Sequence, residues 1–62
     1  MIQVGLKFKQ TFPSNIAQFE VVDIKNGMVI TQVTTKGGYK FNDSIEQEYL
    51  ENAFAIKEYE VI

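Results

Sequence analysis

Sixty-two residues make a single domain, 1–62, with no room for a second, and a chain this short buries only about 60% of its unfolded surface. Cysteine and histidine are both absent, which excludes a disulfide framework, a thiolate metal site and the commonest general base. The hydrophobic content of 45% is that of a globular chain rather than a disordered one, and the net charge of −2 argues against a strongly basic nucleic-acid binder.

From the start, Ile2, Val4, Leu6 and Phe8 alternate with Gln3, Gly5, Lys7 and Lys9. That period of two predicts a strand with one buried face, and Gly5 permits a sharp bend or a close backbone approach. Thr11 to Asn15, containing Pro13, reads as a loop. A second strand is expected from Ile16 to Ile24. Its turn has two solutions. A two-residue Asn26-Gly27 turn pairs Lys25 with Met28 but sets Phe19 against Thr34. A three-residue loop, Lys25-Asn26-Gly27 with Gly27 left-handed, pairs Ile24 with Met28, Val22 with Ile30, Val21 with Thr31 and Phe19 with Val33. Matched cross-strand pairs favour the second solution.

The next turn, Lys36-Gly37-Gly38, pairs Thr35 with Tyr39 and Val33 with Phe41. Phe19, Val33 and Phe41 then form a row across three strands, the expected centre of the core. Asn42, Asp43 and Ser44 are capping residues, and Asp43 with Glu46 or Ser44 with Gln47 has capping-box spacing. A helix from about Ile45 places Ile45, Tyr49, Leu50, Ala53 and Phe54 on one side, with Gln47, Glu48, Glu51 and Asn52 opposite. No glycine or proline stops it. β-branching at Ile56, Val61 and Ile62 predicts a last strand from about Lys57, with Tyr59 and Val61 on one face. The expected fold is α+β: a strongly bent antiparallel sheet or small barrel in the order β-β-β-β-α-β, with one helix packed on it and the last strand beside the first.

Catalysis has few carriers. Ser14 and Ser44 lack a base, and Asp43, Glu46 and Glu48 have the spacing of helix caps rather than of a converging acid–base pair. No calcium-loop or phosphate-loop spacing occurs, and Gly37-Gly38 lacks the lysine-serine that a phosphate loop needs. The chain is therefore read as a non-enzyme with no cofactor, metal or small-molecule substrate. With no basic leader before an apolar run and no run of roughly 20 apolar residues, it is expected to be cytoplasmic, without membrane contact.

Binding is the remaining class. Val22, Ile24, Met28 and Ile30 face away from Phe19 and Val33 in the favoured register. They form an apolar strip that is either covered by the helix or open to a protein partner, a second copy of the chain included. The alternative is weak nucleic-acid binding through Lys7, Lys9, Lys36 and Lys40, with Phe12 and Tyr39 as stacking faces. All six cations are lysines, so bidentate arginine contacts to bases are unavailable. Charge is also uneven along the chain. Lys7, Lys9, Lys25, Lys36 and Lys40 outweigh Glu20 and Asp23 up to Lys40, whereas from Phe41 onward only Lys57 offsets six carboxylates. Such a gradient either orients a partner or reflects carboxylates collecting where a helix begins.

The pattern Gly5-x-x-Phe8, then Phe19-x-Val21-x-x-Ile24-x-x-Gly27-x-Val29, then Phe41 and an acidic-capped helix resembles short open reading frames of phages and mobile elements. The resemblance implies a small Src-homology-like barrel that binds a protein or nucleic acid. It covers most of the chain through turn and core positions and implies no particular functional residue.

Overall fold

The computed structural model describes residues 2–11 and 17–62; the expected loop at 12–15, the start of the second strand at Ile16 and the side chain of Phe12 lie outside the described residues. The elements are β1 (Lys7–Gln10), β2 (Ala17–Lys25), β3 (Met28–Thr35), β4 (Lys40–Glu46), α1 (Gln47–Ala55) and β5 (Tyr59–Val61). This is the expected order of four strands, a helix and a strand. All ladders are antiparallel, and the sheet order is β4-β3-β2-β1-β5. The last strand does lie beside the first. Among the described residues no ladder joins β4 to β5, so the sheet is open and the barrel alternative is not supported.

The first strand is shorter than its alternation suggests. The chain turns at Val4-Gly5, with Gly5 at φ +95°, and the Leu6 N–H donates to the Gln3 carbonyl at 3.1 Å. Only glycine adopts that backbone without cost. Ile2 and Leu6 still pack against the core, while Val4 is exposed.

The first hairpin corrects the expected register. Asn26 and Gly27 both have positive φ, 53° and 76°, and Lys25 pairs with Met28. This is the two-residue geometry that an Asn-Gly pair favours, because its twist matches that of the strands. The extra residue sits further along: the register shifts between Val21 and Asp23, leaving Val22 as a bulge. Beyond it Val21 pairs with Thr31 and Phe19 with Val33, as expected. One inserted residue reverses which face every later side chain occupies. Phe19, Val21 and Ile24 therefore share one face, so Ile24 joins the core while Met28 and Ile30 stay on the other side. The second turn is as expected: the Thr35 N–H donates to the Tyr39 carbonyl at 2.8 Å, Gly38 is left-handed and Val33 pairs with Phe41.

The capping reading of residues 42–44 is also corrected. Asn42, Asp43, Ser44 and Ile45 are strand residues paired with Gln32, Thr31, Ile30 and Val29, because β3 still offers ladder partners there. The helix starts at Gln47 after Glu46, with no side-chain cap. The Gln47 N–H, one of the donors a helix start leaves open, donates to the Gly27 carbonyl of the first hairpin at 2.9 Å.

A nine-residue helix spans about 14 Å, whereas the four gaps between five strands span about 19 Å. Leaving β4 at one edge and returning as β5 at the other, α1 with its short exit must cross a single face. Leu50 and Ala53 are buried on that face, and Phe54 is half-buried against the core. The core centre is Phe8. Its ring stacks on Phe19 at 4.8 Å and meets Phe54 edge-on at 5.2 Å and Tyr59 at 5.3 Å. The expected row of Phe19, Val33 and Phe41 exists in register, but Phe41 is 41% exposed and ends it at the rim.

The helix also has a stop that needs no glycine. Lys57 takes φ +67°, its N–H donates to the Phe54 carbonyl at 3.2 Å, and the Glu58 N–H donates to the Ala53 carbonyl at 2.9 Å. These are the two bonds of a Schellman motif. The Thr11 hydroxyl lies 2.6 Å from the Lys57 carbonyl and 3.1 Å from that of Glu58, tying this corner to the end of β1.

Candidate interaction surface

The register divides the side chains into a helix-side face and an outer face. Paired residues share a face, so Lys7, Lys9, Gln18, Glu20, Asp23, Lys25, Met28, Ile30, Gln32, Thr34, Lys40, Asn42, Ser44, Glu46 and Glu60 point outward. The expected strip is thereby split. Ile24 pairs with Val29 on the helix side and packs against the core. Val22 is the exposed bulge residue. Met28 and Ile30 remain outward and half-buried, bordered by Lys25, Asp23, Ser44 and Glu46. The physical reason is the bulge, which moves Ile24 across the sheet.

The lysines are brought partly together. Lys7, Lys9 and Lys40 lie on the outer face, and Lys36 sits in the exposed second turn. Lys7 stands opposite Glu20, and Lys9 opposite Glu60, so carboxylates interleave with the cations. A shallow groove of about 200 Å³ runs between Lys7 and Lys40 over Gln18, Glu20, Gln32 and Thr34. Tyr39 pairs with Thr35 on the helix side, away from Lys40. Stacking and phosphate contact would therefore fall on different faces.

Tyr39 instead joins Phe41. The ring centroids are 5.8 Å apart, and Tyr39 is 69% exposed. Both belong to the helix side of the sheet beyond the reach of α1, at the rim formed by β4. The sequence places Tyr39 on the same side as the Phe19 row with its hydroxyl near solvent, as the structure does, and offers it as a stacking face only in the nucleic-acid alternative; Phe41 is assigned to the core. The only signal for an exposed pair would have been that β4 is an edge, which depends on the sheet order.

Among the described residues no strand pairs with the outer side of β4. The Thr35–Tyr39 and Gly27–Gln47 bonds turn odd-numbered positions toward β3. Alternation then directs the N–H and C=O groups of Lys40, Asn42, Ser44 and Glu46 outward. One of these donors is already engaged: the Ser44 N–H donates to the Asp43 carboxylate at 2.9 Å. The same device recurs where β2 runs past β1, with the Ile24 N–H donating to the Asp23 carboxylate at 2.9 Å. A charged side chain folded onto its own edge is a recognised way of blunting strand pairing.

Chemistry-bearing groups converge little. Among the described residues no group of three or more acidic side chains is placed to hold a metal ion. Asp43 and Ser44 are neighbours on an edge strand, and Ser14 lies outside the described residues. The Tyr59 phenol is held above its usual range, first by burial and then by the charges of Glu58, Tyr49 and Asp43. The Tyr49 hydroxyl lies 3.4 Å from a Glu58 carboxylate oxygen, within reach to donate a hydrogen bond to it. Among the described residues no helix is long and apolar enough to cross a membrane. No protein-family model matches the chain, and neither curated proteins nor solved structures yield a significant match.

Proposed function

We propose that the chain is a non-catalytic binding module that contacts a protein through the rim of β4, with Tyr39 and Phe41 as anchors. The observation that carries this reading is the pair of adjacent, exposed aromatic rings beside an open strand edge. Aromatic side chains are enriched among the residues that dominate protein contacts, and fully burying one contributes roughly 1.5–3 kcal/mol. The edge adds main-chain hydrogen bonding to a partner strand.

A photo-crosslinking residue placed at position 39, with position 32 on the outer face as control, tests this in producing cells. The expected result is a discrete protein adduct from position 39 and none from position 32. No adduct from position 39 removes the reading.

Weak nucleic-acid binding through Lys7, Lys9, Lys36 and Lys40 is the second reading, favoured by the outer groove between Lys7 and Lys40. The interleaved Glu20 and Glu60 oppose it. Phosphate contacts are strongest at low salt, so anisotropy of labelled single- and double-stranded probes at low ionic strength decides it. An unchanged signal at high protein concentration excludes it.

A further inference from the structure

We infer that the β4 edge pairs with the same edge of a second copy of the chain, antiparallel about a two-fold axis at Asp43, and that Asp43 itself weakens the pairing. This rests on the protein-contact reading above and names the partner. Identical strands paired antiparallel are related by a two-fold axis, the commonest symmetry of small oligomers. The outward main-chain groups belong to Lys40, Asn42, Ser44 and Glu46, so even-numbered residues must face even-numbered residues.

One register satisfies the side chains as well. Centring the axis on Asp43 sets Lys40 opposite Glu46 of the second copy, and Glu46 opposite its Lys40. On the helix side the exposed Phe41 then faces the half-buried Ile45 of the second copy. Sliding by two residues in either direction sets Lys40 against Ser44, or Glu46 against Asn42, and forfeits both ion pairs. Charge complementarity thus selects a second copy as the occupant.

Asp43 opposes this arrangement in two ways. At the axis the two carboxylates stand directly opposite each other, an unfavourable like-charge pair. Each also engages the Ser44 N–H that the partner strand needs. The edge therefore carries both a self-complementary register and the residue that restrains it.

Sedimentation of the full chain, with circular dichroism to verify folding, tests the inference. Asp43→Thr removes the charge and the acceptor at its present position and supplies a strand-forming residue. It is expected to tighten dimerisation at least ten-fold over the wild type. Asp43→Asn, which removes only the charge, should shift it in the same direction by less. In the Asp43→Thr background, Lys40→Glu should weaken the dimer at least ten-fold, and adding Glu46→Lys should restore it. If folded Asp43→Thr and Asp43→Asn are no more dimeric than wild type, or if the charge swap fails to restore association, the inference is overturned. The crosslink from position 39 separates the two levels. An adduct with a different protein, alongside monomeric variants, overturns the second copy while leaving the binding reading intact. No adduct at all removes the binding reading itself.

Discussion

Replacing Lys57 by glycine and, separately, by alanine isolates the cost of the left-handed corner that ends α1. Both substitutions remove the same charge near the helix C-terminus, so its favourable interaction with the helix dipole cancels between them. What differs is the backbone at φ +67°. A residue with a Cβ is strained there by about 1–2 kcal/mol. Glycine escapes that strain but gives up about 0.5–1 kcal/mol to its freer unfolded chain. Glycine at position 57 should therefore exceed alanine in stability by about 1 kcal/mol. For a domain of this size that corresponds to a melting difference of about 4–8 °C. Thermal and urea unfolding followed by circular dichroism measure it, with equal urea slopes verifying that both variants unfold from the same state. Alanine equal to or better than glycine would refute the Schellman geometry assigned to Lys57 and Glu58. The Thr11 hydroxyl bonds to this corner add a second handle, since Thr11→Val should cost about 1 kcal/mol in either background.

Three further outcomes test the core and its register. Phe8 is fully buried under three aromatic rings, so Phe8→Ala should cost about 3–5 kcal/mol and leave so small a domain without a cooperative melt. Deleting Val22 should abolish folding, because without the bulge either the Asn26-Gly27 turn or the Phe19–Val33 pairing must fail. Val22→Ala should stay within about 1 kcal/mol of wild type, since that side chain is 44% exposed, and chemical denaturation distinguishes the two. The Tyr59 phenol is raised above 10.0 in the fold, so the stability it contributes is complete below the unfolded value and lost as pH rises through the folded one. Unfolding measured between neutral and strongly alkaline pH should decline less steeply in Tyr59→Phe, and identical slopes would contradict the burial of the hydroxyl.

Local chemistry made much of this fold legible. The double glycine at Gly37-Gly38 specified its turn, and the spacing of Leu50, Ala53 and Phe54 identified the helix face. The Phe19–Val33–Phe41 register followed from matched pairs. The first hairpin resisted because two local preferences conflict. Asn26-Gly27 favours a two-residue turn, and Phe19 with Val21 demands the other parity; a bulge reconciles them, but no residue type marks its position. Asp43 and Ser44 are good caps in any sequence, and only the ladder offered by β3 makes them strand. The exposed rim was hidden for a different reason. Whether Tyr39 and Phe41 face solvent depends on which strand lies outermost, a property of the assembled sheet.

The β1–β5 ladder joins residues 49 to 53 positions apart, whereas β2, β3 and β4 are a meander linked by tight turns. Bringing distant segments together carries a larger loop-closure entropy than closing a hairpin, which makes the β1–β5 junction the seam of the molecule. Amide exchange should accordingly find Glu60 and Ile62, whose N–H groups face β1 (that of Ile62 on the Lys7 carbonyl at 3.1 Å), opening before the central ladder does, exposing Phe8 and its stacked neighbours on the way to the unfolded chain. A binding partner seated on the far rim would leave that seam untouched, so the domain's breathing and the proposed recognition surface lie at opposite margins of one sheet.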